Sequence, residues 1–148
     1  MSKEIKIEYK IKKIHTTSYA VEDLPEEESV VLFQKGNSEL NIGSNISFDK
    51  DKSTITIDIK TVLNKKGSKK ELVKHIGRTI YFVQDLENLF NEEVNSYNLP
   101  NNFLLQLLGI SFSHSRALLA TELQSTVYAE KLILPVVNPA MLLPKNLK

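Results

Sequence analysis

Among its 148 residues the chain has no cysteine and no tryptophan. Without thiols there is no disulfide, no thiolate metal site and no cysteine nucleophile. The chain also lacks an excess of either charge: 19 basic and 18 acidic residues leave +1. That excludes a nucleic-acid binder working through a strongly basic overall charge, while local patches stay open. Glycine is sparse, and Gly36, Gly43, Gly67, Gly77 and Gly109 do not have the spacing of a phosphate-cradling loop. No uninterrupted apolar run approaches the ~20 residues of a membrane span. The stretch Met1–Lys10 is charged throughout and lacks the apolar centre of a signal peptide. These absences point to one cytoplasmic domain over 1–148, long enough to bury a core without covalent staples.

What is present is alternation. Ile5, Ile7, Tyr9 and Ile11 alternate with charged residues, and period two makes a half-buried strand. Ile14 falls on the other parity, so a bulge is expected near Lys12 or Lys13. Glu22–Glu28 reads as an acidic connector. Val30–Lys35 is a short apolar segment before a turn at Gly36-Asn37. Leu40, Ile42, Ile46 and Phe48 carry a further strand, with an irregularity expected at Gly43-Ser44-Asn45. Asp49–Lys52 reads as a hairpin turn. Ile55, Ile57 and Ile59 alternate with polar residues in the next strand, whose β-branched content suits a pleated surface. After the basic turn Asn64–Lys70, Leu72–Val83 is the fourth strand, with Ile76, Ile80 and Phe82 on one parity. Short polar turns between such strands predict an antiparallel sheet with one wet face.

Beyond Val83 the period changes. Leu86, Leu89, Phe90 and Val94 have helical spacing, with Asp85 at the start. A loop around Pro100 follows. Phe103, Leu104, Leu107 and Leu108 begin an apolar segment that Gly109 interrupts, and Ser111 or Ser113 would cap the next helix. In that helix Phe112, Leu119 and Leu123 share one face, with His114 and Thr121 opposite. Arg116 falls inside the stripe, either snorkelling along its edge or pairing with a carboxylate at a subunit interface. Leu132–Val137 is extended, held by Pro135 and apolar on both faces, which implies cover on both sides. The class is therefore α+β, strands first and helices last.

Candidate chemistry is thin. Ser113-His114-Ser115 places a nucleophile type beside a base type, but helix neighbours diverge by about 100° and do not pair through adjacency. His15, His75 and His114 lie on different elements without metal-ligand spacing. The residues point to a binding protein without a cofactor rather than to an enzyme.

Three separated signatures, in order, resemble the SecB-type export chaperones. They are Tyr9-Lys10-Ile11-Lys12-Lys13-Ile14 followed by Thr16, then Leu32-Phe33-Gln34-Lys35, and finally Phe112–Arg116 with Leu132-Ile133-Leu134-Pro135-Val136-Val137-Asn138. The resemblance covers roughly residues 9–143. It implies a four-stranded antiparallel sheet with helices packed on one face, assembled as a dimer of dimers. It further implies apolar grooves that hold unfolded preproteins without ATP for handover to the SecA motor. The sequence departs from the family in its near-neutral charge, in Ser18 where an aspartate is usual, and in Lys74 near an expected glutamate.

Under that resemblance Leu32 and Phe33 are the first client-binding candidates, because a segment between strands buries apolar side chains poorly. Tyr128, Leu132 and Leu134 come next, on the proline-held extended run. Glu22 falls where the family places a first-strand glutamate that meets SecA. Phe112, Arg116, Leu119 and Leu123 are the candidates for an oligomer interface. Two functions follow: a holdase for unfolded or preprotein segments, or an oligomeric adaptor dedicated to one partner, for example a toxin–antitoxin pair.

Overall fold

Ile55, Ile57 and Ile59 are fully buried, and the strand they occupy lies in the interior of the sheet. The computed structural model describes residues 6–144. Its main sheet holds β1 (Tyr9–Val21), β2 (Ser38–Asp49), β3 (Thr54–Lys65) and β4 (Glu71–Val83). Their order is β1-β4-β3-β2, antiparallel throughout. Helix α1 (Glu26–Leu32) lies between β1 and β2, and helix α2 (Asn101–Glu122) packs on the sheet mainly over β4 and β3. The α+β class, the four-stranded sheet and a helix on one of its faces are as the sequence predicts.

In β3 every second residue from Ile55 to Leu63 is buried. Each fully buried isoleucine contributes about 1.5–3 kcal/mol. The turn before β3 is held by Asp49, whose Oδ1 accepts from the amides of Asp51 and Lys52, both at 3.1 Å. The expected bulge in β1 is present between Ile11 and Lys13, and a second lies between Thr16 and Ser18. The pair has a purpose. Tyr9 and Ile11, then Ile14 and Thr16, then Tyr19 and Val21 are all opposite helix-side residues of β4, although their parity changes twice.

Ile76, Ile80 and Phe82 share one parity of β4 as expected, on the open face, because the side under α2 is made by Val73, His75, Gly77, Thr79, Tyr81 and Val83. Three sequence expectations are corrected. β2 runs through Gly43-Ser44-Asn45 in unbroken register with β3. Glu26–Glu28 belong to α1 rather than to a connector; acidic residues suit a helix's first turn and Pro25 presets its entry. Between Val83 and Pro100 there is no α-helix. Asp85 is left-handed at φ 59°, a 3₁₀ turn covers Leu86–Leu89, and β5 (Phe90–Asn91) pairs with β6 (Ser96–Tyr97).

Helix α2 also differs from its expectation. It is continuous over 22 residues, running through Gly109, and begins after Pro100 rather than at Ser111 or Ser113. Ser111 is buried instead, 2.8 Å from the Tyr81 hydroxyl, which donates to the Leu107 carbonyl at 3.0 Å. Gly109 lets Pro139 approach: a Cβ there would meet Pro139 Cγ at 3.3 Å. The segment Asn101–Ser125 is long and apolar enough to cross a membrane by length and composition. Here Phe103, Leu104, Leu107, Leu108, Phe112 and Leu119 are buried in the core.

Candidate functional site

Tyr128 lines the first of two clefts. Its ring is fully buried, meets Phe33 edge-on at 6.2 Å, and its hydroxyl donates to the Glu22 carbonyl at 2.6 Å. Burial, with Glu22 and Asp23 nearby, pushes its phenol up to about 12. It thereby ties the extended C-terminal segment to the end of β1. Lys131 reinforces the tie through an ion pair with Glu26 at 3.0 Å.

The first cleft lies between the C-terminal half of α2 and residues 128–134. It encloses about 670 Å³ and is lined by Arg116, Leu119, Leu123, Tyr128, Leu132, Ile133 and Leu134, among others. The second, about 730 Å³, lies between α1 and the β3–β4 turn, where Leu24, Val31, Leu32 and Leu72 meet Lys65, Lys66 and Lys70. Neither holds a catalytic cluster among its lining residues.

The structure thus brings most of the sequence candidates together, but in altered roles. Leu32, Tyr128 and Leu134 are core residues, 4%, 0% and 4% exposed, and form floors rather than free walls. Phe33 and Leu132 are half-buried and pack against that core. Phe112 and Leu119 on α2, with Leu123 at its end, are buried within the single chain at 5%, 1% and 2% exposure. Arg116 is half-buried and lines the first cleft, with no ion pair among the described residues. Glu22 sits at the end of β1, where its amide donates to the Leu72 carbonyl and its carboxylate pairs with Lys70 at 2.7 Å.

The most exposed apolar side chains beside the first cleft lie outside the site candidates. Ile133 is 71% exposed, Val136 86% and Met141 80%. The run 132–137 is therefore covered on one side only, against the expectation of cover on both. Strict alternation would have placed Val136 with Leu134; Pro135 breaks that alternation by holding the backbone.

The histidines serve packing. His114 faces the sheet, its Nδ1 3.0 Å from Thr79 Oγ1, rather than opposite the apolar stripe as predicted. His75 is fully buried with Nε2 3.0 Å from Thr16 Oγ1. Burial lowers the pKa of both imidazoles. Ser113 is exposed and Ser115 is buried against Gly77, so neither pairs with His114. No grouping of three metal-ligating side chains occurs among the described residues.

No protein-family model matches this sequence, and no curated protein matches it either. Among solved structures, a Streptococcus agalactiae protein of unknown function aligns over 88% of this chain and 99% of its own, at 10% identity and a TM-score of 0.45. That similarity is too low to carry an argument. The Mycobacterium tuberculosis Rv1957 SecB-like chaperone, solved with a ChAD peptide from the Rv1956 HigA1 antitoxin, aligns over 87% of both chains with a TM-score of 0.53 and 12% identity. The chain is similar in fold to that SecB-like chaperone.

Proposed function

We infer that this chain is a SecB-like, ATP-independent polypeptide-binding subunit, holding extended apolar segments along residues 128–137. The observation that carries the reading is the exposure of Ile133 and Val136 beside a cleft floored by Leu119, Leu123 and Leu134. A client segment burying on the order of 300 Å² of apolar surface would gain about 7 kcal/mol before ordering costs. Such binding needs no cofactor and tolerates many sequences. Several subunits acting on one client would add avidity, and a homo-oligomer, a dimer of dimers in the SecB-type arrangement, is part of the proposal. The proposed site of action is the cytoplasm, with an export motor such as SecA as the proposed recipient of the client.

The second reading is a subunit dedicated to one partner. It is favoured by the fold neighbour, which was solved with an antitoxin peptide. Suppression of aggregation of a slow-folding client without ATP tests the first reading; no suppression at molar excess would overturn it. Capture from native cytoplasm separates the two, since a holdase retains many chains and a dedicated subunit one.

A further inference from the structure

The open face of the sheet, opposite α2, carries a row that crosses all four strands: Lys13, Ile80, Thr56 and Ser47. A trough of about 480 Å³ follows this row. Ile80 and Thr56 form its floor, and Lys12, Lys13 and Lys52 stand on its rims. Lys12 is the extra residue of the first bulge in β1. All three lysines are exposed and none has an ion pair among the described residues.

The surrounding rows have the same sign. Lys10, Lys60 and Lys74 lie on this face, also without ion pairs among the described residues. Two carboxylates lie close to these lysines, Asp49 on the trough itself and Asp58 one row away, while Glu39 sits farther along the same face of β2. Asp58 accepts from Arg78 Nε and Nη2 at 2.7 and 2.9 Å, and Asp49 holds the β2–β3 turn. The three lysines of the trough outnumber Asp49, its one lining carboxylate, although the whole chain is near neutral. Their influence is felt at His15, which burial lowers first and Lys13 and Arg78 lower further.

We propose that this trough is a docking surface for an acidic polypeptide segment with an apolar spine. The apolar side chain of such a segment rests on Ile80, and its carboxylates reach the lysine rims. Nucleic acid fits less well. The floor is aliphatic and hydroxyl-bearing, and the nearby aromatics are engaged: Phe82 carries the Lys10 ammonium at 5.5 Å, and Phe48, which also lines the trough, stacks on Tyr97 at 4.4 Å. The chain's own acidic segment has partners elsewhere, with Glu22 on Lys70 and Glu26 on Lys131. The surface is independent of the cleft on the helix side, and its test is separate from the client assay.

The test is anisotropy of a fluorescein-labelled peptide alternating glutamate with leucine, beside a matched peptide with lysine for glutamate and an oligothymidylate. The acidic peptide should bind at least about tenfold tighter than either control, and added salt should weaken it. K12E/K13E should lose at least about tenfold and I80S a few-fold, whereas K65E/K66E at the β3–β4 turn should bind as wild type. K12E/K13E should keep its circular dichroism and its aggregation suppression. Equal binding of the two peptides, equally tight binding of the oligonucleotide, or unchanged binding by K12E/K13E would overturn the proposal. So would self-association that K12E/K13E abolishes, since the face would then serve a second copy.

Discussion

The Tyr128 hydroxyl donates to the Glu22 carbonyl at 2.6 Å across 106 positions of sequence. One bond thus joins the end of an edge strand to the start of the extended segment that walls the first cleft. Tyr128→Phe keeps the ring against Phe33 and leaves that carbonyl without its donor. The expected loss is about 1–2 kcal/mol, read as a lower urea midpoint with unchanged slope. Tyr128→Ala removes the buried ring as well and should lose about 3–5 kcal/mol. Equal midpoints for wild type and Tyr128→Phe would show that the bond adds nothing.

The same phenol gives an alkaline limit. The folded state raises the phenols of Tyr128 and Tyr81 to about 12 from an ordinary 10. The unfolded chain therefore loses these protons first. Their contribution is complete below about pH 10 and declines as pH rises from 10 toward 12. Unfolding midpoints measured between pH 9 and 11.5 should fall, and fall less steeply in Tyr128→Phe. A parallel decline in both proteins would assign the effect to other groups.

Gly77 on β4 faces α2 so closely that an added Cβ would meet Ser115 Oγ at 3.0 Å, Ser115 Cβ at 3.2 Å and His75 Cε1 at 3.3 Å. Gly77→Ala is expected to cost about 1–3 kcal/mol by overpacking between two rigid elements. Ser115→Ala alone should be near neutral, because its buried hydroxyl has no hydrogen-bond partner among the described residues. The double variant should recover part of the loss, giving a coupling of about 0.5 kcal/mol or more. Additive losses would show that Ser115 is not what Gly77 accommodates.

This polar contact also explains which parts of the fold were legible. The alternation of β3 and the first β1 bulge could be read because Ile55, Ile57, Ile59 and Ile14 stand out against charged neighbours. β4 could not be read the same way. Both of its parities carry apolar residues, and its helix side includes His75, Gly77 and Thr79. Gly77 and Thr79 are met by Ser115 and His114 of α2, and His75 by Thr16 of β1, matches between distant segments that local hydropathy does not contain. Gly109 reads locally as a break, yet tertiary packing carries α2 through it. The cleft was legible in part for a similar reason: Leu132 and Leu134 were visible as apolar, whereas which side of Pro135 stays open depends on α2 and the 3₁₀ turn at Pro139–Leu142.

His75 sets an acid limit. Burial lowers its pKa from the ordinary 6.5, and His114 shifts in the same direction. The unfolded chain then binds protons that the folded chain refuses. Stability is complete above about pH 6.5 and declines as pH falls below it, toward the lowered folded-state values. Urea midpoints at pH 7.5 and 5.5 should differ, and the difference should shrink in His75→Gln, which cannot titrate. A midpoint unchanged between the two pH values would sink the argument.

Ile133 and Val136 decide whether the first cleft is a working surface. Both are largely exposed in the subunit, so Ile133→Ser with Val136→Ser should alter the unfolding midpoint by less than about 0.5 kcal/mol. If an extended client covers them, the double variant loses apolar contact of about 1–2 kcal/mol for each residue fully covered. Client affinity should then fall by about tenfold or more, which aggregation suppression at limiting chaperone would register. Sedimentation of the same variant separates a second possibility. If the two residues lie between copies of the chain, the solution mass falls along with activity. An unchanged mass with weakened suppression places the client on residues 132–137. Unchanged suppression would remove this segment from the binding surface and leave the α1 cleft, with Leu32 and Val31, as the alternative groove.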